Sequence, residues 1–230
     1  MLRFSKILFP LISCLLLASA ASGAPIPLEP RSGGLAFYDP NLGITWMSHG
    51  SLATLTTFGL PTGVSLGTHP SDGSGQNAII NADGSMNWPA ALFWFDAMNA
   101  ANFLGVSDWR LPSADVNGDS TVVDCSGGGV PGCADNEMGF LFWEEGVTGF
   151  APVPFTGVQT SVYWSGTETN PGSAWWFSFG FGQQLAVSKW QTLHVWAARS
   201  GDIAAIPVPA GVWLFGSAIG LLGWMRRRGA

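Results

Sequence analysis

Two apolar, charge-free runs close off the ends of this chain and leave only its middle to build a core. At one end Arg3 and Lys6 lead into the run Ile7 to Ala18, and the small residues Ala18, Ser19 and Ala20 follow. Basic, then apolar, then small is the layout of a secretory signal peptide. Residues 1–20 are read as that signal, cut after Ala20 or, at a second site of small side chains, after Ala24. Leu11, Ile12 and Ser13 also precede Cys14 in lipobox order. The apolar run continues through Leu15, Leu16 and Leu17, however, so a cut at Cys14 would leave greasy signal residues on the mature protein.

At the other end no residue from Ala210 to Met225 is charged, and Arg226, Arg227 and Arg228 follow at once. At the helical rise these sixteen residues span about 24 Å, short of the ~30 Å hydrocarbon core, so they cross only with bilayer thinning or snorkelling arginines. The arginines stay cytoplasmic by the positive-inside rule, which puts the body of the chain on the far side of the membrane. Pro207 and Pro209 keep the preceding backbone extended. A plain anchor and a transient signal both fit these facts. Proline motif, short apolar segment and arginine cluster together resemble a PEP-CTERM sorting signal over residues 206–230. The Val-Pro-Leu-Pro-Ala subclass is matched at Ile206, Pro207, Val208, Pro209 and Ala210 with two conservative departures. That resemblance implies an exosortase as partner, an intermediate in the inner membrane, and final delivery to the cell surface or extracellular matrix of a Gram-negative, exopolysaccharide-producing bacterium.

Between the signals, residues 25–205 suffice for one domain with a real core. The bases there are Arg31, Arg110, Lys189 and Arg199, set against all fifteen acids, a net of eleven negative charges. Such a field repels polyanions, so nucleic acid is excluded as a partner and a bound polysaccharide is expected to be neutral or bridged by cations. The pattern is that of an α+β domain with much loop. "LAFYDPNLGITWM" predicts a hairpin, with Pro at a turn position and Gly where positive φ is needed. Asn87 to Leu104 predicts a helix capped by Asn87, with Pro89 in its first turn and an apolar stripe of Leu92, Phe95, Met98 and Phe103 closed by Gly105. "VYWSG", "AWWFSFG", "QLAVSKW" and "LHVWAAR" predict strands.

"YDPNLGITWM", "WPAALFWFDAMNAANFLGVSDWRLPS", "NEMGFLFW" and "YWSGTETNPGSAWWFSFGFGQQLAVSKWQTLHVWAARSGD" occur in the order seen in the Lcl C-terminal domain family, which this chain resembles over most of its mature length. The family's hallmarks are an opening hairpin, a helix leading to Trp-Arg-Leu-Pro, here Trp109 to Pro112, and a closing Tyr-Trp-Ser with a strand pair ending near an arginine, here Arg199. The resemblance implies a C-type-lectin-like fold, with a small twisted antiparallel sheet, one or two helices and long loops, akin also to formylglycine-generating enzymes. Some members are trimeric adhesins for sulfated polysaccharides. The acidic balance and the lack of a collagen repeat keep both properties from carrying over here.

Few residues point to chemistry. His49, His69 and His194 lie in unrelated segments, outside any base-plus-nucleophile motif. Cys125 and Cys133 are expected to pair across "SGGGVPG" in an oxidising compartment, the alternative being a thiol or metal pair that no further Cys or nearby His completes. They do not reproduce the copper-binding cysteines of the formylglycine-generating branch. Asp115, Asn117, Asp119 and Asp124 place oxygen ligands as at the start of a Ca²⁺ loop. Ser120 and Ser126 break the match at the glycine and closing-acid positions, and an Asx-rich turn accounts for the same residues. Of ten tryptophans between the signals, Trp176 and Trp190 are expected by alternation on an outer face, where rings can stack on sugars. The expectation for function is a non-enzymatic, lectin-like module for exopolysaccharide or surface partners. A structural matrix protein is the alternative, and an enzyme would need a close carboxylate pair, which the diverging neighbours Glu144 and Glu145 do not supply.

Overall fold

The computed structural model describes residues 25–119, 121–123 and 135–203. The first element of the core is the expected hairpin, β2 (Ala36–Asp39) paired antiparallel with β3 (Ile44–Met47). Its turn is closed locally: the Asp39 carboxylate accepts the N–H groups of Asn41 at 2.9 Å and Leu42 at 3.2 Å, and Gly43 takes φ +66°. β1 (Glu29–Arg31) pairs with β2, and the chain's last described strand, β9 (Ala198–Ser200), returns to pair with β3. The resulting order is β1-β2-β3-β9. β4 (Ser65–Thr68) and β5 (Asn77–Ile79) form a two-stranded sheet, and β6 (Val162–Asn170), β7 (Ser173–Ser178) and β8 (Gln183–Ser188) form a three-stranded one. All these pairings are antiparallel, and two helices complete a mixed α+β architecture.

Helix α1 runs Trp88–Ala100, with Asn87 as N-cap and Pro89 in the first turn. The Asn87 carbonyl oxygen accepts the N–H of Ala90 at 3.3 Å and of Ile79 at 2.9 Å, and its amide donates to Asn77 O at 2.8 Å. The cap thereby ties α1 to β5. The helix is shorter than expected because Asn102 turns left-handed at φ 48° and starts a separate short turn at Phe103–Gly105. Of the expected stripe Phe95 and Met98 are buried, joined by Ala91 and Trp94, while Leu92 and Phe103 are only partly covered. A second helix, α2 (Glu137–Trp143), was not marked by apolar periodicity; Asn136 caps it by accepting the N–H groups of Met138 and Gly139 at 2.8 and 3.0 Å. "LHVWAAR" is not a continuous strand, since only isolated bridges at Leu193 and His194 precede β9.

Large aromatic rings fill the core, and a buried indole is costly unless its N–H finds an acceptor. Trp164 donates to Met86 O at 2.9 Å, Trp196 to Met47 O at 2.7 Å, Trp94 to Thr56 O at 3.0 Å and Trp88 to Ser165 O at 2.9 Å. Edge contacts, and one tilted contact between Phe179 and Trp196, then link Phe37, Phe155, Trp196, Phe179 and Tyr163 into one chain of rings at centroid separations of 5.0 to 5.4 Å. Each of these four indoles is thus both a space-filler and a fixed strut between distant backbone segments, whereas the N–H of fully buried Trp46 has no well-formed acceptor among the described residues. Among the described residues no helix is long and apolar enough to cross a membrane; the segments read as signal peptide and sorting signal lie outside them.

Replacing Asn87 by Ala removes the cap and both bonds to β5. The expected loss is on the order of 2 kcal/mol, above that of a cap alone, read as a lower midpoint in urea unfolding at unchanged slope.

Candidate functional site

Four stretches of chain converge on a cleft of about 450 Å³. α1 contributes Trp88, Leu92, Phe95, Asp96 and Asn99; the Trp-Arg-Leu-Pro segment contributes Trp109, Arg110 and Leu111, with Ser113 just beyond it; β6 adds Gly166 and Thr167; the loop after β4 adds His69 and Ser71. The Trp109 segment is fixed first by backbone, Arg110 donating its N–H to Ala198 O of β9 at 2.8 Å and accepting the Ala198 N–H at 3.0 Å, and then by side chains. Asn99 both donates to Trp109 O at 2.9 Å and accepts its N–H at 2.8 Å, bolting the segment to α1. Arg110 makes a two-pronged pair with Glu137 at 2.8 Å on each arm, and Glu137 also accepts the Ser113 N–H at 2.7 Å. The buried Glu137 at the start of α2 thus fixes both ends of the motif. At Gly166 a Cβ would approach Leu111 Cβ to 3.3 Å, so glycine lets β6 pass close beside the cleft wall.

The rim is polar. His69 accepts the Ser71 N–H at its Nδ1, at 3.1 Å, which leaves Nε2 to carry the proton and donate to Asp96 Oδ2 at 2.9 Å. Buried His69 is braced edge-on by Phe93, while Asp96 stands 71 % exposed at the mouth. The result is an apolar floor with a carboxylate and hydroxyls around it.

Beneath the floor sits an ion cluster. Lys189 is fully buried, its Nζ 2.7 Å from Asp72 Oδ1, 3.0 Å from Glu168 Oε2 and 4.0 Å from the centre of the Trp88 ring. Burial pushes the Asp72 carboxyl up, but hydrogen bonds from Lys189 and Ser74 outweigh it and hold the group below its ordinary value. Asp72 belongs to the same loop as His69 and Ser71, so the lysine holds that wall of the cleft against the rest of the fold.

A second carboxyl cluster lies at the hairpin. Asp39 is fully buried; its Oδ2 makes no well-formed hydrogen bond among the described residues. Glu145 approaches it and receives the Asn41 amide at 3.0 Å. Burial first, and the neighbouring Asp39 charge second, push the Glu145 carboxyl up to about 7. The expected divergence of Glu144 and Glu145 told nothing of this pairing, which joins residues far apart in sequence.

The acidic loop places carboxylate oxygens of Asp115, Asp119 and Asp135 within 4.8 Å of one another. Asn117 Oδ1 instead accepts the Asp119 N–H at 2.8 Å, and Asp119 accepts the Thr121 N–H at 2.7 Å. The loop therefore carries the Asx turns of one expectation and gathered carboxylates of the other, with Asp135 added; Asp124 lies outside the described residues, as do Cys125 and Cys133. Trp190 is 62 % exposed, but Trp176 is half-buried against the core, opposite Trp164 across the β6–β7 pair. The sorting-motif residues Ile206 to Ala210 and Arg226 to Arg228 are likewise not among those described.

Fold and cleft together define a mixed α+β domain organised around a Trp-Arg-Leu-Pro segment clamped between two helices. The chain belongs to the Lcl C-terminal domain family, whose model matches residues 36–199. No curated protein matches it.

Because folded Glu145 holds its proton up to about 7 against an ordinary 4.5, the native state binds more protons than the unfolded one between those values. This group's contribution to stability therefore falls as pH rises through that window. His49 and His194, lowered by burial, act in the opposite sense, so the useful reading is a difference. Glu145→Gln should gain stability relative to the parent as melts move from pH 5 to pH 8.

Proposed function

We propose that this protein is an exported binding module of the cell envelope or extracellular matrix, which takes a segment of neutral polysaccharide in the cleft between α1 and Trp109–Ser113. The observation that carries the reading is the cleft itself, an apolar floor of Trp88, Leu92 and Phe95 under a rim of Asp96, His69, Ser113 and Thr167. A pyranose presents the same division, with apolar C–H faces and hydroxyls around the edge, and a carboxylate accepts hydroxyl protons well. The acidic surplus disfavours anionic chains unless cations bridge them. A lectin-like fold agrees with the small antiparallel sheets and long loops. Exposed Trp190 offers a further stacking surface, and Ca²⁺ at Asp115, Asp119 and Asp135 would answer part of the acidic balance.

Delivery follows from the terminal motif. Exosortase cuts near Pro207 to Ala210 after the short apolar segment and Arg226 to Arg228 have held the chain at the inner membrane. A plain anchor would leave Trp213 to Arg228 attached, a difference that intact mass reads in exosortase-bearing and exosortase-deleted hosts. Catalysis on the polysaccharide is disfavoured because the contacting pair Asp39 and Glu145 includes a carboxyl wholly out of reach of substrate, and the gathered carboxylates of Asp115, Asp119 and Asp135 are not among the residues that line the cleft.

The test is a panel of neutral and acidic glycans, probed with and without Ca²⁺, followed by calorimetry on the strongest binder. Asp96→Asn keeps the shape but weakens acceptance of hydroxyl protons, and should weaken binding roughly tenfold, the worth of one charge-assisted hydrogen bond. Binding unchanged by Asp96→Asn would place the glycan outside this cleft, and no glycan bound at all would leave a purely structural matrix role.

A further inference from the structure

We propose that Lys189 and Asp72 condense into an intramolecular amide, with Glu168 as the proton carrier, so that the ion cluster under the cleft becomes a covalent cross-link. Three features of the cluster point to this chemistry beyond a simple salt bridge. Amine and carboxyl are both fully buried and in contact at 2.7 Å. A second carboxyl, Glu168, touches the same nitrogen at 3.0 Å and is itself 36 % exposed, so it can take up a proton at the buried nitrogen and exchange it with solvent. The other oxygen of Asp72, Oδ2, accepts the hydroxyl of Ser74, a donor placed where negative charge grows when a nucleophile adds to Cγ.

The surroundings favour the product. The Trp88 ring covers Nζ at 4.0 Å, and both reacting groups are shut off from water. Burial disfavours ions, although for Asp72 the hydrogen bonds from Lys189 and Ser74 outweigh it. Transfer of a proton from Nζ to Asp72 yields a free amine beside a carboxylic acid, already held in contact and thus relieved of the entropic cost of meeting. The ionised pair remains the resting form, as the low-lying Asp72 carboxyl indicates; the reaction drains the minor neutral form and is kept from reversing by the absence of water.

The step balances without any outside reagent. The lone pair of Nζ adds to Cγ of Asp72, forming the N–C bond, while charge collects on Oδ2 under the Ser74 hydroxyl. Glu168 takes a proton from Nζ and passes it to Oδ1, the Cγ–Oδ1 bond breaks, and one water leaves. Amine plus acid gives amide plus water, and Glu168 ends as it began. The bond would join residues 117 positions apart, tying the cleft-wall loop to the end of β8.

The sequence makes the test direct. Between Ser32 and Arg199 trypsin has only Arg110, Lys189 and Arg199 to cut after. The full-length protein is purified, incubated folded, denatured and digested. The proposal predicts that cleavage after Lys189 is lost and that Ser32–Arg110 appears joined to Leu111–Arg199, lighter than their sum by one water. Glu168→Gln, checked for folding by circular dichroism, should return the separate peptides. Asp72→Asn should give the joined product lighter by one ammonia instead. Wild-type protein that is folded yet cut after Lys189, with every peptide at its full mass, would overturn the cross-link. A joined product in Glu168→Gln would overturn the role given to Glu168.

Discussion

The contact of fully buried Lys189 with Asp72 and Glu168, an ion cluster until the proposed amide forms, is the interaction on which the rest of this domain depends. A charge cannot be removed from water without partners, and here they come from Asp72 in the β4–β5 loop, Glu168 near the end of β6, and the face of Trp88 at the start of α1. A loop, a strand and the start of a helix are thereby forced to one point. The backbone carries the same message: the Lys189 carbonyl accepts the Trp88 N–H at 3.1 Å, and the Lys189 N–H donates to Gly172 O at 2.9 Å. Removing the lysine alone would strand two carboxylates, one of them with no access to solvent.

The cleft is a consequence of that convergence. Its floor includes Trp88, placed by the lysine below, and one wall is the His69–Asp72 loop, pulled in by the same cation. The opposite wall, Trp109 to Ser113, is fixed separately, by the backbone bridge from Arg110 to Ala198 of β9 and by side-chain clamps from Asn99 and Glu137. Loops positioned on a rigid frame are where binding surfaces ordinarily form, because they can vary without loss of the core. The frame here is the ring-filled interior, where the indoles of Trp88, Trp94, Trp164 and Trp196 span from one backbone segment to another. The hairpin cluster of Asp39 and Glu145 lies apart from this cleft and bears on stability instead of on the cleft's contents.

What could be read from sequence was what is decided locally. The β2–β3 hairpin was legible because Asp39, Pro40 and Gly43 set a turn within a few residues, and the start of α1 because Asn87 and Pro89 are cap and first-turn residues. Its end was placed too late, since nothing in an apolar stripe announces that Asn102 turns left-handed. α2 has a cap signal in Asn136 but only seven residues, too few for periodicity to show. Alternation along β7 misplaced Trp176 because a strand inside a three-stranded sheet can be covered on both faces. The cleft was out of reach for a different reason. Lys189 in "SKW" reads as an ordinary strand-end cation, and its meaning lies in acids 117 and 21 positions away; Asp39 and Glu145 were missed on the same ground.

The most direct test of this dependence is amide hydrogen exchange, residue by residue, on the parent and on Lys189→Met, a change that keeps most of the volume while removing the charge. The amides that report are those of Asp72, bonded to His69 O at 3.0 Å, Trp88, and Lys189 itself, bonded to Gly172 O. If the buried cation organises the cleft, protection at these three positions collapses in the variant while amides of the β2–β3 hairpin keep theirs. Protection unchanged at all three, in a variant that is folded, would contradict the account, because the convergence would then be held by packing alone.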